Sequence, residues 1–209
     1  MSKNRFIIIT LLVFLFIGTN VMISQNTNFK NPTENLIQPP YLKAGDTVAI
    51  LAPSGILKHR NEEVERAKRL LKQWNLNVVV GKHVFNQANH FAGTDQERCE
   101  DFQNALDNPN IKAIWCARGG YGTVRILDKL DYTKFLEQPK WIIGYSDITA
   151  LHNQIHNLGV QSLHAMMCVS LPKDESEIEQ TIATFKKAIF GETLSYTLEG
   201  SKYNQIGEV

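Results

Sequence analysis

The sequence predicts an α/β fold, an open parallel sheet with helices on both faces, and three observations carry it. Short apolar runs of strand length alternate with segments of helical period from Thr47 to Asn157. The Gly-, Ser- and Asp-bearing loops follow the apolar runs, where ligands collect at the carboxyl ends of parallel strands. A length of 209 residues with a hydrophobic share of 43% is enough to bury a core.

The first 24 residues do not belong to that pattern. Lys3 and Arg5 precede an apolar run from Phe6 to Ile17, then Gly18-Thr19-Asn20 and Ile23-Ser24-Gln25, the outline of a signal peptide. As a helix the run would extend roughly 18 Å against a hydrocarbon core of roughly 30 Å, which favours a cleaved signal. Met22 fits a small-x-small cleavage rule poorly, so an uncleaved anchor that borrows Val21 to Ile23 stays open. Residues 25–40 are polar and aperiodic, end in Pro39-Pro40, and read as a flexible linker.

The N-terminal α/β domain is expected over 41–172. Thr47 to Ala52 reads as a buried strand, and Glu62 to Trp74 as a helix with Val64, Ala67, Leu71 and Trp74 on one face. Val78 to Val80 is the next strand. Thr94-x-x-Glu97 is a capping box opening a helix to about Leu106, ended by Asn108-Pro109-Asn110. Ile111 to Cys116 is a strand, Tyr121 to Leu127 a short helix, Trp141 to Gly144 a strand, and Asp147 to Asn157 a helix.

Beyond Pro172, Ser176-x-x-Glu179 predicts a capped helix with Ile178, Ile182, Phe185 and Ile189 on one side, closed by Gly191. Leu194, Tyr196 and Leu198 then alternate like a half-buried strand. Residues 173–209 read as an inter-domain helix and the start of an incomplete second domain.

Charge and cysteine content narrow the function. The net charge is +1, and falls to −1 without Lys3 and Arg5, so nothing suggests nucleic acid. Cys99, Cys116 and Cys168 are far apart and lack metal-ligand spacing, and are expected to be buried free thiols.

Chemistry concentrates in Trp141 to Thr149, where an apolar strand runs into Gly144-Tyr145-Ser146-Asp147. A serine on a sharp strand-to-helix turn lifts its hydroxyl above the sheet edge, and the amide of Asp147 then faces a developing oxyanion. The competing reading makes Ser146 an N-cap for the following helix. Arg118-Gly119-Gly120-Tyr121-Gly122 follows a neighbouring strand, and its amides could cradle an anion or simply form a tight turn. It lacks the Lys-Ser/Thr of a P-loop and the spacing of a dinucleotide fingerprint, so nucleotide binding ranks last.

With Leu51-Ala52-Pro53-Ser54-Gly55 and Phe91-Ala92-Gly93-Thr94-Asp95, these motifs make the stretch from about Leu42 to Pro172 resemble the LD-carboxypeptidases of serine peptidase family S66, which also includes the microcin C immunity proteins. The resemblance implies an N-terminal domain similar to class I glutamine amidotransferases, with Ser146 as nucleophile. It implies an oxyanion hole from Gly119 or Gly120 and Asp147, substrate contacts from Arg118 and Tyr121, and no metal or organic cofactor. The substrate it implies is a murein tetrapeptide, cut before its terminal D-alanine through an acyl-enzyme, in peptidoglycan recycling or remodelling. The family often dimerises.

The family's histidine and glutamate are expected in a C-terminal domain beyond this sequence, and a serine without a base is a weak nucleophile. His59, His83 and His90 are expected to be solvated or capping groups. His152 and His156, one turn apart, lack a third ligand in register and are read as partly exposed; His164 is read as structural. The leading expectation is an exported serine carboxypeptidase, periplasmic or at the periplasmic face of the inner membrane. The alternatives are a catalytically inactive muropeptide-binding fragment and a microcin-immunity-like amide hydrolase.

Overall fold

The computed structural model describes residues 36–196 and 200. The expected signal segment, most of the linker, Leu198 and 201–209 lie outside the described residues. Five parallel strands form one sheet in the order β2-β1-β3-β4-β5: β1 (Thr47–Leu51), β2 (Asn77–Val80), β3 (Ile111–Cys116), β4 (Trp141–Gly144) and β5 (Leu163–His164). The chain moves outward to β2, then returns past β1 to β3, so the strand order reverses between β1 and β3. A crevice opens at such a switch point above the carboxyl ends of the strands.

Alternation of side chains along each strand divides the core into two layers. On one face Val48, Ile50, Trp115 and Ile143 meet Val64, Ala67, Leu70 and Leu71 of α1 (Asn61–Gln73), together with Phe185 and Ile189 of the last helix. On the other, Ala49, Leu51, Ile114 and Ile142 meet Phe102, Ala105 and Leu106 of α2 (Asp95–Asp107), Phe135 of α3 (Thr133–Glu137), and Leu151 and Ile155 of α4 (Thr149–Asn157). Each such large apolar side chain contributes about 1.5–3 kcal/mol on burial, so the sheet is fixed from both sides.

Local signals hold where they are chemical. Thr94 accepts from the Glu97 N–H at 3.2 Å and the Glu97 carboxylate accepts from the Thr94 N–H at 2.7 Å, the reciprocal box expected at the start of α2. Its other end is closed by buried Lys140, whose ammonium donates to the carbonyls of Ala105, Leu106 and Asn108 at 2.8–2.9 Å. The final helix, α5 (Glu179–Phe190), ends at Gly191 in the left-handed conformation (φ 77°).

Several expectations are corrected. The helix expected over Tyr121 to Leu127 is two 3-10 turns, Thr123–Arg125 and Leu127–Lys129. A 3-10 turn over Ser146–Ile148 precedes α4. Asp174, not Ser176, is the cap: its carboxylate accepts from the Ser176 N–H at 3.0 Å, and a 3-10 turn over Glu175–Ile178 leads into α5. Residues 192–196 form no strand, and Tyr196 is 60% exposed. Cys116 and Cys168 are buried free thiols, whereas Cys99 is only half-buried. The described part of the linker is docked rather than free: Ile37 donates to the Gly159 carbonyl at 2.7 Å and accepts from the Gln161 N–H at 2.9 Å, and the Pro40 carbonyl accepts from the Trp141 indole at 3.0 Å.

Candidate active site

Parallel pairing sets the motif loops side by side. Leu51 pairs with Cys116, Trp115 with Ile143 and Gly144 with His164, so the loops after β1, β3 and β4 and the end of β5 share one rim. At its centre Ser146 holds φ at +62°. A non-glycine residue there costs about 1–2 kcal/mol, which the surrounding contacts must offset. The N-cap reading of Ser146 is not realised: Tyr145 occupies the cap position of the 3-10 turn, no side chain caps it, and the exposed Ser146 hydroxyl makes no hydrogen bond among the described residues.

The glycine loop approaches this serine closely enough that a Cβ on Gly119 would stand 3.2 Å from Ser146 Oγ and 3.4 Å from the Asp147 nitrogen. The Gly119 carbonyl accepts from the Gly55 N–H at 3.1 Å. In a planar trans peptide the next N–H lies antiparallel to that carbonyl, so the Gly120 N–H points away from the Gly55 loop. Among the described residues, the N–H groups of Gly119, Gly120 and Asp147 meet no acceptor. An exposed hydroxyl beside unengaged amides is an arrangement that can support acyl transfer.

Two side-chain hubs that the sequence does not advertise hold the rim. Arg98, 2% exposed, donates to the carbonyls of Pro53 and Gly122 and to the Asp95 carboxylate, tying the loops after β1 and β3 to the start of α2. Hydrogen bonding from Arg125 is the largest cause that lowers the Asp95 carboxyl to about 2. The second hub is Asp147, whose carboxylate accepts from Ser54 Oγ at 2.6 Å and from the Thr123 N–H at 2.9 Å. Capping and periodicity signals miss both hubs, since the bonds that tie the rim together, from Arg98 to Pro53 and Gly122 and to Asp147 from Ser54 and Thr123, run between elements.

The remaining expected residues separate. Arg118 lies across the loop after β1 and donates to the Ile56 carbonyl. Tyr121 is 52% exposed, its ring 6.0 Å from Phe91 and 6.3 Å from His90. His83, expected to be solvated or capping, is instead buried: its N–H donates to Asp101 at 2.8 Å and its Nδ1 lies 3.1 Å from the same carboxylate. It follows β2, three strands from β4 in the sheet order, which at about 4.8 Å per strand is roughly 14 Å. His152 is inserted between Ser162 Oγ, 2.8 Å from Nδ1, and the Gly144 carbonyl, 2.9 Å from Nε2. Burial lowers its pKa, so the ring is neutral near pH 7. Exposed His164 stands 5.8 Å from the His152 ring and 6.2 Å from that of Tyr145. Among the described residues no imidazole or carboxylate is hydrogen-bonded to Ser146, and no group of three metal-ligating side chains is gathered.

The model of the peptidase S66 LD-carboxypeptidase N-terminal domain matches residues 48–165, the sheet and its rim. The chain belongs to the S66 family. It is 34% identical over 171 residues to the "probable murein peptide carboxypeptidase" of Bacillus subtilis (strain 168), covering 81% of this chain and 53% of that protein. It is 31% identical over 152 residues to the murein tetrapeptide carboxypeptidase of Pseudomonas aeruginosa (PAO1), covering 69% and 49%. The structure of the microcin C7 self-immunity protein MccF in complex with aspartyl sulfamoyl adenosine matches with a TM-score of 0.70 and 26% identity, covering 78% of this chain and 50% of that one. The chain spans about half the length of the curated relatives it matches. The S66 α/β sheet is thus the part of the family architecture seen here.

Proposed function

We propose that this chain is the nucleophile-bearing part of a serine-type LD-carboxypeptidase that hydrolyses the bond before the terminal D-alanine of murein tetrapeptides. One observation carries the proposal: Ser146 stands exposed on a strained turn, beside amides of Gly119, Gly120 and Asp147 that have no other acceptor among the described residues. In this reading Ser146 Oγ attacks the scissile carbonyl and its proton passes to a base. The oxyanion is held by the Asp147 N–H and a glycine-loop N–H, and the amine of D-alanine leaves with a proton. Water then hydrolyses the acyl ester by the same route. The base, a histidine oriented by a glutamate, comes in this proposal from the portion of the family's length that this chain does not span. Arg118 and Tyr121 line the approach, the guanidinium suited to a terminal carboxylate and the exposed phenol to the peptide.

The substrate class draws support from the relatives named for murein peptides. A second reading, a microcin-immunity-like amide hydrolase, draws support from the likeness to MccF bound to a sulfamoyl adenosine. The export outline of 1–24 favours the first, because murein lies outside the inner membrane; a free N-terminus past residue 24 in secreted material supports that placement, and one starting at Met1 overturns cleavage. The deciding experiment is release of D-alanine from a murein tetrapeptide by the full-length protein and its Ser146→Ala variant. Release that the substitution abolishes supports the proposal. Release unaffected by Ser146→Ala removes Ser146 as nucleophile. Cleavage of a sulfamoyl adenylate with none of the tetrapeptide favours the second reading, and tight tetrapeptide binding without turnover of either favours an inert muropeptide-binding fragment.

A further inference from the structure

We infer that Asp147 is a positioning residue as well as an amide donor: its carboxylate, held by a buried relay of two hydroxyls from Ser54 and Thr123, aims the oxyanion-binding backbone of the rim. The inference rests on acyl transfer at Ser146. Ser54 and Thr123 are both completely buried, so neither can touch a substrate. Their hydroxyl oxygens are 2.5 Å apart, and Ser54 Oγ is 2.6 Å from Asp147 Oδ2. The direction follows from the groups themselves, because a carboxylate oxygen accepts and a hydroxyl can donate. Ser54 donates to Asp147, which leaves Thr123 to donate to Ser54; the Thr123 N–H supplies a second donor to the same Oδ2 at 2.9 Å.

The rigid end of this relay is Ser54. Its neighbour Pro53 gives its carbonyl to Arg98, its own carbonyl accepts from the Ala92 N–H at 3.0 Å, and the following Gly55 N–H donates to the Gly119 carbonyl at 3.1 Å. The compliant end is Asp147, half-exposed and directly after a residue held at φ +62°. A strained turn persists only where its surroundings over-determine it. Two donors from two different loops supply that constraint, and they join the three sources of the rim in one point: the loop after β1, the turn after the glycine loop, and the elbow after β4. The same Asp147 whose backbone nitrogen lies beside Gly119 is therefore clamped through its side chain to the end of that loop. Charge-assisted hydrogen bonds of this kind are the strong ones.

The test is steady-state kinetics of the full-length protein on a murein tetrapeptide, with unfolding midpoints measured in parallel. Ser54→Ala and Asp147→Ala are each expected to lower kcat about 10- to 100-fold while KM stays within about threefold, as for groups that act only on the transition state. The Ser54→Ala/Asp147→Ala double variant is expected to lose no more than the worse single variant, since Asp147→Ala already removes the bond from Ser54 together with that from the Thr123 N–H. Asp147→Asn, whose amide oxygen can still accept from both donors, is expected to keep kcat within about threefold, whereas Asp147→Leu, which fills the space but cannot accept, is expected to fall as Asp147→Ala does. If Asp147→Ala fails to fold, Ser54→Ala against Asp147→Asn makes the same comparison. Wild-type kcat in Ser54→Ala, or losses that multiply in the double variant, would overturn the inference while leaving Ser146 as nucleophile intact. Loss of the proposed reaction itself would appear instead as an inactive wild-type protein.

Discussion

Gly119 stands against Ser146 so closely that a Cβ on the glycine would lie 3.1 Å from the serine Cβ. The backbone of Gly119 is not in the left-handed region, so alanine is allowed there conformationally, and the only conflict is with the serine. Gly119→Ala is expected to fold with a stability change within about 1 kcal/mol. If Ser146 is the nucleophile as proposed, displacing it by a few tenths of an ångström should lower kcat about 10- to 100-fold in the full-length protein. D-Alanine release together with a urea unfolding curve checks both halves; unchanged turnover would mean that Ser146 does not need this approach.

Arg98 holds the rim from beneath. Replacing it with leucine leaves the buried carbonyls of Pro53 and Gly122 without their donor, while Asp95 keeps Arg125, whose Nη2 is 2.8 Å away. Arg98→Leu is expected to lose about 3 kcal/mol of unfolding free energy. Amide hydrogen exchange should show the loss of protection concentrated at 53–56 and 119–123; a uniform loss would contradict the local role.

Lys140 offers a test away from the rim. It is 2% exposed and its ammonium donates to three carbonyls at the end of α2. Lys140→Met keeps the aliphatic stem and removes the donors, so it is expected to cost about 2–3 kcal/mol in urea unfolding. A cost below about 0.5 kcal/mol would mean that water replaces the ammonium.

His152 sets a pH dependence. Burial is the largest cause lowering its pKa from the ordinary 6.5, with the Gly144 carbonyl opposing and His164 adding to the decrease. An unfolded chain therefore takes up a proton near pH 6.5 that the folded protein refuses until lower pH. The contribution to stability is complete above 6.5 and declines as pH falls through the folded value. Wild type is expected to lose more stability between pH 7.5 and 5.5 than His152→Gln does. Parallel slopes for the two proteins would exclude this assignment.

Much of the molecule was legible in the sequence because its signals are local. The apolar runs of β1, β3 and β4, the Thr94–Glu97 box and the Gly191 stop each depend on residues within a few positions of one another, and each appears where expected. Local signals failed where a neighbour in space outweighed one in sequence. Tyr121 to Leu127, expected as one helix, is broken into 3-10 turns, because Arg98 and Asp147 hold Gly122 and Thr123 at the rim. His83 reads as solvated until Asp101, 18 residues later, folds over it.

The sequence by itself determined the alternation of strand and helix, hence a parallel sheet with its motif-bearing loops at one end, and it singled out Ser146 through the resemblance of four ordered motifs. Only the tertiary structure decided the strand order that puts the glycine loop against Ser146, the +62° backbone that lifts its hydroxyl, and the two hubs beneath. The physical reason is distance along the chain. Ser54 lies 93 residues from Asp147 and Arg98 lies 45 from Pro53, and no periodicity or propensity reaches across such spans until the sheet closes them.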